Sequence, residues 1–136
     1  LDQMRLYNSV YQKLGVDYSI ENSIDGYDEI SLTGNFKVTT NNYERIFSPS
    51  DIGLPVAQAS ELRGGDTKEE AMQIFDNVLE NKSTTAQKNV VIANAAFAIQ
   101  VYEGGKDIAE CIAIARESIE SGRAYQALKK YVEVNS

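Results

Sequence analysis

DGYDEISLTG, Asp25 to Gly34, is the stretch in which a glycine, adjacent carboxylates and hydroxyl side chains crowd together between two apolar, alternating segments. Gly26 lets the backbone turn tightly or approach a ligand closely. Asp28 and Glu29 then place two hard oxygen ligands side by side on a loop. Such a pair suits Mg²⁺, which dehydrates reluctantly and is usually held by one or two carboxylates plus substrate phosphates. Acidic pairs in turns are also commonly solvated and nothing more, so spacing alone leaves both readings open. Ser31 and Thr33 carry the same ambiguity, between reaching phosphate and stabilising the loop.

Upstream of this loop, Val16, Tyr18 and Ile20 alternate with Asp17, Ser19 and Glu21, which predicts a strand from Val16 to Glu21. Leu1, Met4, Tyr7, Val10, Tyr11 and Leu14 recur at helical spacing before it, and Gly15 stands where that helix stops. A helix, a strand and a loop at the strand's C-terminal end is the arrangement expected of an α/β sheet, where ligands bind beyond the carboxyl ends of strands. Downstream, Phe36, Val38 and Thr40 alternate, Asn41-Asn42 offers turn residues that tolerate positive φ, and YERIF resumes a strand at Tyr43, so a β-hairpin is expected. Pro49 and Pro55 bracket an irregular connection with at most a turn of helix. Gly64-Gly65-Asp66 invites comparison with a phosphate loop, but a helix start at Thr67 follows it at once and no strand-to-helix turn surrounds it.

The C-terminal half reads as helical. Thr67 with Glu70 forms a capping-box pattern ahead of Met72, Phe75, Val78 and Leu79 on one face. Thr84 with Gln87 repeats the pattern ahead of Val90 to Val101, where apolar residues surround the helix and predict burial. Asp107 with Glu110 opens a third helix with Ile108, Cys111, Ile112, Ala115 and Ile119 inward and Gly122 as its stop. A last helix, Ala124 to about Val134, adds Ala124, Leu128 and Tyr131 to the apolar stripe.

Composition narrows the function. A net charge of -7 and a pI near 4.6 argue against nucleic acid, whose phosphates reward clustered Lys and Arg. No apolar run approaches the roughly 20 residues that span a bilayer, and no membrane role is expected. The one cysteine, Cys111, excludes an internal disulfide and a cysteine-based zinc site within the chain, and a buried core thiol is expected. Histidine is absent, so the chemistry must run on carboxylates, amides and hydroxyls.

The run DGYDEISLTG resembles the signature of the anthranilate phosphoribosyltransferases, and the likeness continues through FKV (36–38), SPSDIGL (48–54), ELRGGD (61–66) and NVVIANAAFAIQVYEG (89–104). Two departures stand out. Asn35 replaces the proline that many members carry after the signature glycine, and Asn22-Ser23 replaces a His-Gly pair before it. The resemblance implies Asp28 and Glu29 as Mg²⁺ ligands, with Gly26 shaping the loop against substrate and no separate catalytic acid or base. It implies transfer of phosphoribose from phosphoribosyl pyrophosphate to anthranilate in tryptophan biosynthesis. Apart from the resemblance, the lack of a long apolar run leads to the expectation of a cytoplasmic protein, and the open edge of the strand Val16 to Glu21 to that of a homo-oligomer.

By the same resemblance, residues 1–136 are expected to form the C-terminal fragment of a large α/β domain with a mainly parallel sheet. The helical N-terminal domain and the glycine-rich pyrophosphate loop are expected upstream, leaving the fragment alone inactive. Two other readings are a relative of the pyrimidine nucleoside phosphorylases, against which EISLTG argues, and a non-catalytic interaction module.

Overall fold

The computed structural model describes residues 10, 14–15, 17–24, 29–62, 67–104 and 106–135, without the side chains of Ala71 and Asn135. The helix expected over Leu1 to Leu14 falls outside these residues except for Val10 and Leu14, both helical. Gly15, at φ 69°, stands where that helix was expected to stop. The Gly64-Gly65-Asp66 segment also lies outside them.

Three strands, β1 (Ser19–Ser23), β2 (Phe36–Thr40) and β3 (Glu44–Phe47), form a sheet in the order β1-β2-β3, every pair antiparallel. The α/β character expected from the sequence stands, while the strands that this chain contributes are antiparallel. The first strand is displaced from its expected limits. It starts at Ser19 and runs on through Asn22 and Ser23, because five cross-strand pairs with β2, from Ser19↔Thr40 to Ser23↔Phe36, carry polar residues that alternation alone would end. The acidic loop therefore joins two sheet neighbours, and a bond from Ile24 N–H to Asn35 O (3.0 Å) closes its base.

The β2–β3 hairpin forms as expected, but not through positive φ. Thr40 Oγ1 accepts from the N–H groups of Asn42 (3.0 Å) and Tyr43 (3.1 Å), and Leu32 and Asn81 are the only non-glycine residues at positive φ among those described. A short 3-10 turn, Pro49–Ile52, fills the expected irregular connection, with Asp51 Oδ2 accepting from Ser48 N–H (2.8 Å). Those bonds hold the Asp51 carboxyl below its ordinary value.

Four helices follow: α1 (Lys68–Leu79), α2 (Thr85–Tyr102), α3 (Ile108–Glu120) and α4 (Arg123–Asn135). Their starts obey the capping signals. Thr67 Oγ1 accepts from Glu70 N–H (3.1 Å), Thr84 and Gln87 complete a reciprocal box, and Asp107 accepts from Ala109 N–H (3.4 Å). Gly122, at φ 83°, ends α3.

The core forms where α2 lies against the sheet. Phe36 and Phe47 face each other across the strands and stack at 5.6 Å, and Phe97 of α2 meets both edge-on at 6.0 and 5.4 Å. Ile92, Ala93 and Ala96 continue this face of α2, and α3 packs on it through Cys111, Ile112, Ala115 and Ile119. Cys111 is buried and free, as its setting in the sequence suggested.

Two expected stripes are only half covered. On α1, Val78 and Leu79 are buried but Met72 and Phe75 are exposed, and on α4 Tyr131 is exposed with Val132 and Val134. Amphipathic spacing specifies a face and says nothing of whether a neighbour covers it. Among the described residues no helix is long and apolar enough to cross a membrane.

Candidate functional site

The described part of the acidic loop, from Glu29 onward, is held by two side chains to which the sequence analysis gave no role. Ser23, the last residue of β1, donates from Oγ to the carbonyl of Glu29 (2.6 Å) and accepts from Ser31 N–H (3.1 Å). Its hydroxyl lies 3.1 Å from that of Ser31, which lies 2.7 Å from that of Thr33. Ser23 and Ser31 are both buried. Of the two roles open for Ser31 and Thr33, this chain of hydroxyls supports stabilisation of the loop.

On the other side, Asn94 of α2 grips the Ile30 peptide in both directions, accepting from its N–H (3.1 Å) and donating to its carbonyl (2.8 Å). A third bond to Val90 O (2.9 Å) fixes the amide against its own helix. Signals for both residues were present in the sequence. Asn94 is an amide set among alanines in an apolar stretch of helix, and Ser23 is one of the two positions at which the sequence departs from the signature it resembles.

These anchors present Glu29 outward, on the exposed side of a loop whose next residues, Ile30 and Leu32, are fully buried. Leu32 adopts φ 64°, a left-handed conformation that a leucine reaches only at a cost, and its carbonyl accepts from Ala57 N–H (2.8 Å). Burial of Ile30 and Leu32 holds this strained backbone in place, and Glu29, the residue before Ile30, is tied to it through its carbonyl, which accepts from Ser23. Of the three residues expected at the site, Glu29 is described, while Gly26 and Asp28 lie outside the described residues. A cleft of about 210 Å³ opens beside Glu29 and Ser31, walled by Leu62, Phe75, Val90 and Val91.

Among the described residues no three His, Cys, Asp or Glu side chains converge as a metal site. A self-contained protein cage of the calcium or zinc kind is therefore not formed by them. A single exposed carboxylate such as Glu29 could hold only a cation that brings most of its own oxygen ligands.

A second polar cluster lies at the other end of α2. Tyr43 donates to Gln100 Oε1 (2.6 Å), and Gln100 donates to Lys106 O (3.0 Å). Burial, reinforced by the nearby Glu21 carboxylate, pushes the Tyr43 phenol up to about 12. Glu21 itself points from β1 toward α2, accepts from Ser19 Oγ, and is raised above the ordinary carboxylate value by burial.

A sheet backed by helices, with a loop anchored after its first strand, is the geometry of an α/β domain. The chain belongs to the glycosyl transferase family, a/b domain, which it matches over residues 2–125. Among curated proteins it is similar to the anthranilate phosphoribosyltransferase of Phocaeicola vulgatus, 60% identical over 136 residues, which cover 100% of this chain and 41% of that protein. The enzyme of the same name from Bacteroides thetaiotaomicron is 52% identical over the same span, again 41% of its length.

Solved structures agree. Anthranilate phosphoribosyltransferase from Thermus thermophilus superposes with a TM-score of 0.81 at 25% identity, covering 93% of this chain and 38% of that one. The Saccharomyces cerevisiae enzyme in complex with PRPP and Mg superposes with a TM-score of 0.80 at 25% identity, covering 93% and 37%. The chain thus spans about two fifths of the length of these curated relatives.

Proposed function

We propose that this chain is the C-terminal part of the α/β domain of an anthranilate phosphoribosyltransferase, which transfers phosphoribose from phosphoribosyl pyrophosphate to the amino group of anthranilate in tryptophan biosynthesis. The observation that carries this reading is the acidic signature, intact within a chain 60% identical along its whole length to such an enzyme. Asp28 and Glu29 are its Mg²⁺ ligands, and Gly26 allows the loop to approach the substrate. When bound, the ion offsets the charge that develops on the departing pyrophosphate. The protein's own part is to hold the loop that carries the carboxylates, and the bonds of Ser23 to the Glu29 carbonyl and of Asn94 to the Ile30 peptide support that reading. No acid or base is asked of the chain, because pyrophosphate leaves readily and the work is positioning and charge stabilisation.

The pyrophosphate loop and the remaining strands belong, on this reading, to the other three fifths of the enzyme. A cytoplasmic location and assembly into a homo-oligomer complete it. The test is phosphoribosyl transfer to anthranilate by the intact protein, with Asp28→Asn/Glu29→Gln as the control. The double variant is expected to lose Mg²⁺-dependent turnover while anthranilate affinity and thermal stability hold. Unchanged turnover at limiting Mg²⁺ would remove both residues from the site.

A further inference from the structure

Helix α2 starts at a cleft that the acidic loop does not use. The cleft holds about 210 Å³ between the first turns of α2, Pro55 to Ala57 of the irregular segment upstream, and Leu32. That is smaller than the roughly 300–1,000 Å³ pocket of a drug-sized ligand, so its occupant must be small.

One residue in the wall is out of place for a surface crevice. Asn89 is only 4% exposed and its amide makes no hydrogen bond to any described residue, whereas Asn94, five residues further along the helix, makes three; because no side-chain polar atom among the described residues is both sealed from solvent and unpartnered, the opening that the Asn89 amide keeps is onto the cleft it lines. An amide with no protein partner and so narrow an opening takes its hydrogen bonds from whatever occupies the cleft. More donors stand beside it. The capping box uses the N–H of Gln87, and the carbonyl of Thr84 takes that of Lys88, so the N–H groups of Thr85 and Ala86, two residues of the cleft's lining, keep no carbonyl partner within the helix. They form the positive end of an 18-residue helix, which favours an anion.

A bare anion does not match the opposite wall. Glu61 lines the same cleft, with one oxygen accepting from Gln58 N–H (2.8 Å), and its charge repels anions and attracts cations. The remaining wall is aliphatic, from Leu32, Pro55, Val56 and Ala57.

We propose that this cleft binds a free aliphatic α-amino acid. Its carboxylate sits on the Thr85 and Ala86 N–H groups and the Asn89 amide, its ammonium faces Glu61, and its side chain lies against Leu32, Pro55 and Val56. The proposal does not depend on the phosphoribosyl-transfer reading.

The test is calorimetric titration of L-valine into the intact protein that carries this chain, beside isovalerate, which lacks the ammonium, and isobutylamine, which lacks the carboxylate. Valine is expected to bind saturably, with each analogue at least tenfold weaker. Asn89→Leu should abolish valine binding, and Glu61→Gln should weaken valine while leaving isovalerate no worse. Absence of saturable valine binding, isovalerate binding as tightly as valine, or full binding by Asn89→Leu overturns the proposal. Should Asn89→Leu fail to fold by circular dichroism, Val56→Arg at the exposed mouth serves in its place, and retained binding by that variant is equally fatal. Neither substrate of the proposed reaction is titrated and turnover is not read, so failure here and failure of the phosphoribosyl-transfer reading are distinguishable.

Discussion

Asn94 is the residue through which helix α2 controls the acidic loop. Its amide replaces the strand partner that the Ile30 peptide would otherwise need, and both bonded groups are hidden from solvent or nearly so. Asn94→Ala is expected to cost about 1–3 kcal/mol, the penalty of leaving buried peptide groups unsatisfied. In the intact enzyme it should also raise the Mg²⁺ concentration for half-maximal turnover, since Glu29 loses its brace. Urea unfolding and a Mg²⁺ titration of turnover check the two halves of this prediction separately.

Tyr43 provides a pH signature at the same scale. Its folded value of about 12 lies above the roughly 10 of an unfolded tyrosine, so the stabilisation is fully present below pH 10 and disappears as pH rises through the folded value. Stability is expected to fall over that window in the native sequence and to fall less steeply in Tyr43→Phe. A series of denaturant midpoints from pH 8 upward reads the difference. Glu21, also raised by burial, has the same sign: its burial opposes folding increasingly as pH rises through its folded value. Glu21→Gln should therefore be the more stable protein at neutral pH, by on the order of 1 kcal/mol.

Among the elements, α2 differs from α1 in how much depends on it. Both begin at a threonine cap, and both were legible as helices from cap and spacing. The first turn of α2 lies on the helix that carries Phe97, Ala93 and Asn94 into the core and the loop, whereas the first turn of α1 is exposed. Thr84→Ala is expected to lower global stability by about 1 kcal/mol. Thr67→Ala should mainly fray α1, with little change in the denaturant midpoint. Amide hydrogen exchange separates the cases: faster exchange across the whole molecule for the first, and confined to the start of α1 for the second. The opposite result would mean that α1, not α2, organises the helical half.

The molecule as a whole exposes surface that a finished domain would cover. β1 lies at the edge of the described sheet, with its pairing all on the β2 side, and Ile46, Met72, Phe75, Tyr131, Val132 and Val134 are exposed. An open edge beside apolar side chains invites another strand. The chain by itself is therefore expected to self-associate, or to unfold with low cooperativity, in sedimentation and thermal experiments. A monodisperse monomer at high micromolar concentration, with sharp and reversible unfolding, contradicts this.

What the sequence determined by itself was local. Thr84 with Gln87 announced α2, Gly122 announced the end of α3, the alternation of Phe36, Val38 and Thr40 announced β2, and the acidic signature announced its loop, because caps, periodicity and turn chemistry act within a few residues. Tertiary structure decided everything that joins distant residues. Five cross-strand pairs extended β1 through Asn22 and Ser23 and set it antiparallel to β2. Asn94 found Ile30 across 64 positions of sequence. Met72 and Phe75 remained in solvent although their spacing marked them for burial. Spacing specifies which residues share a face, but only the packed chain determines what lies against it.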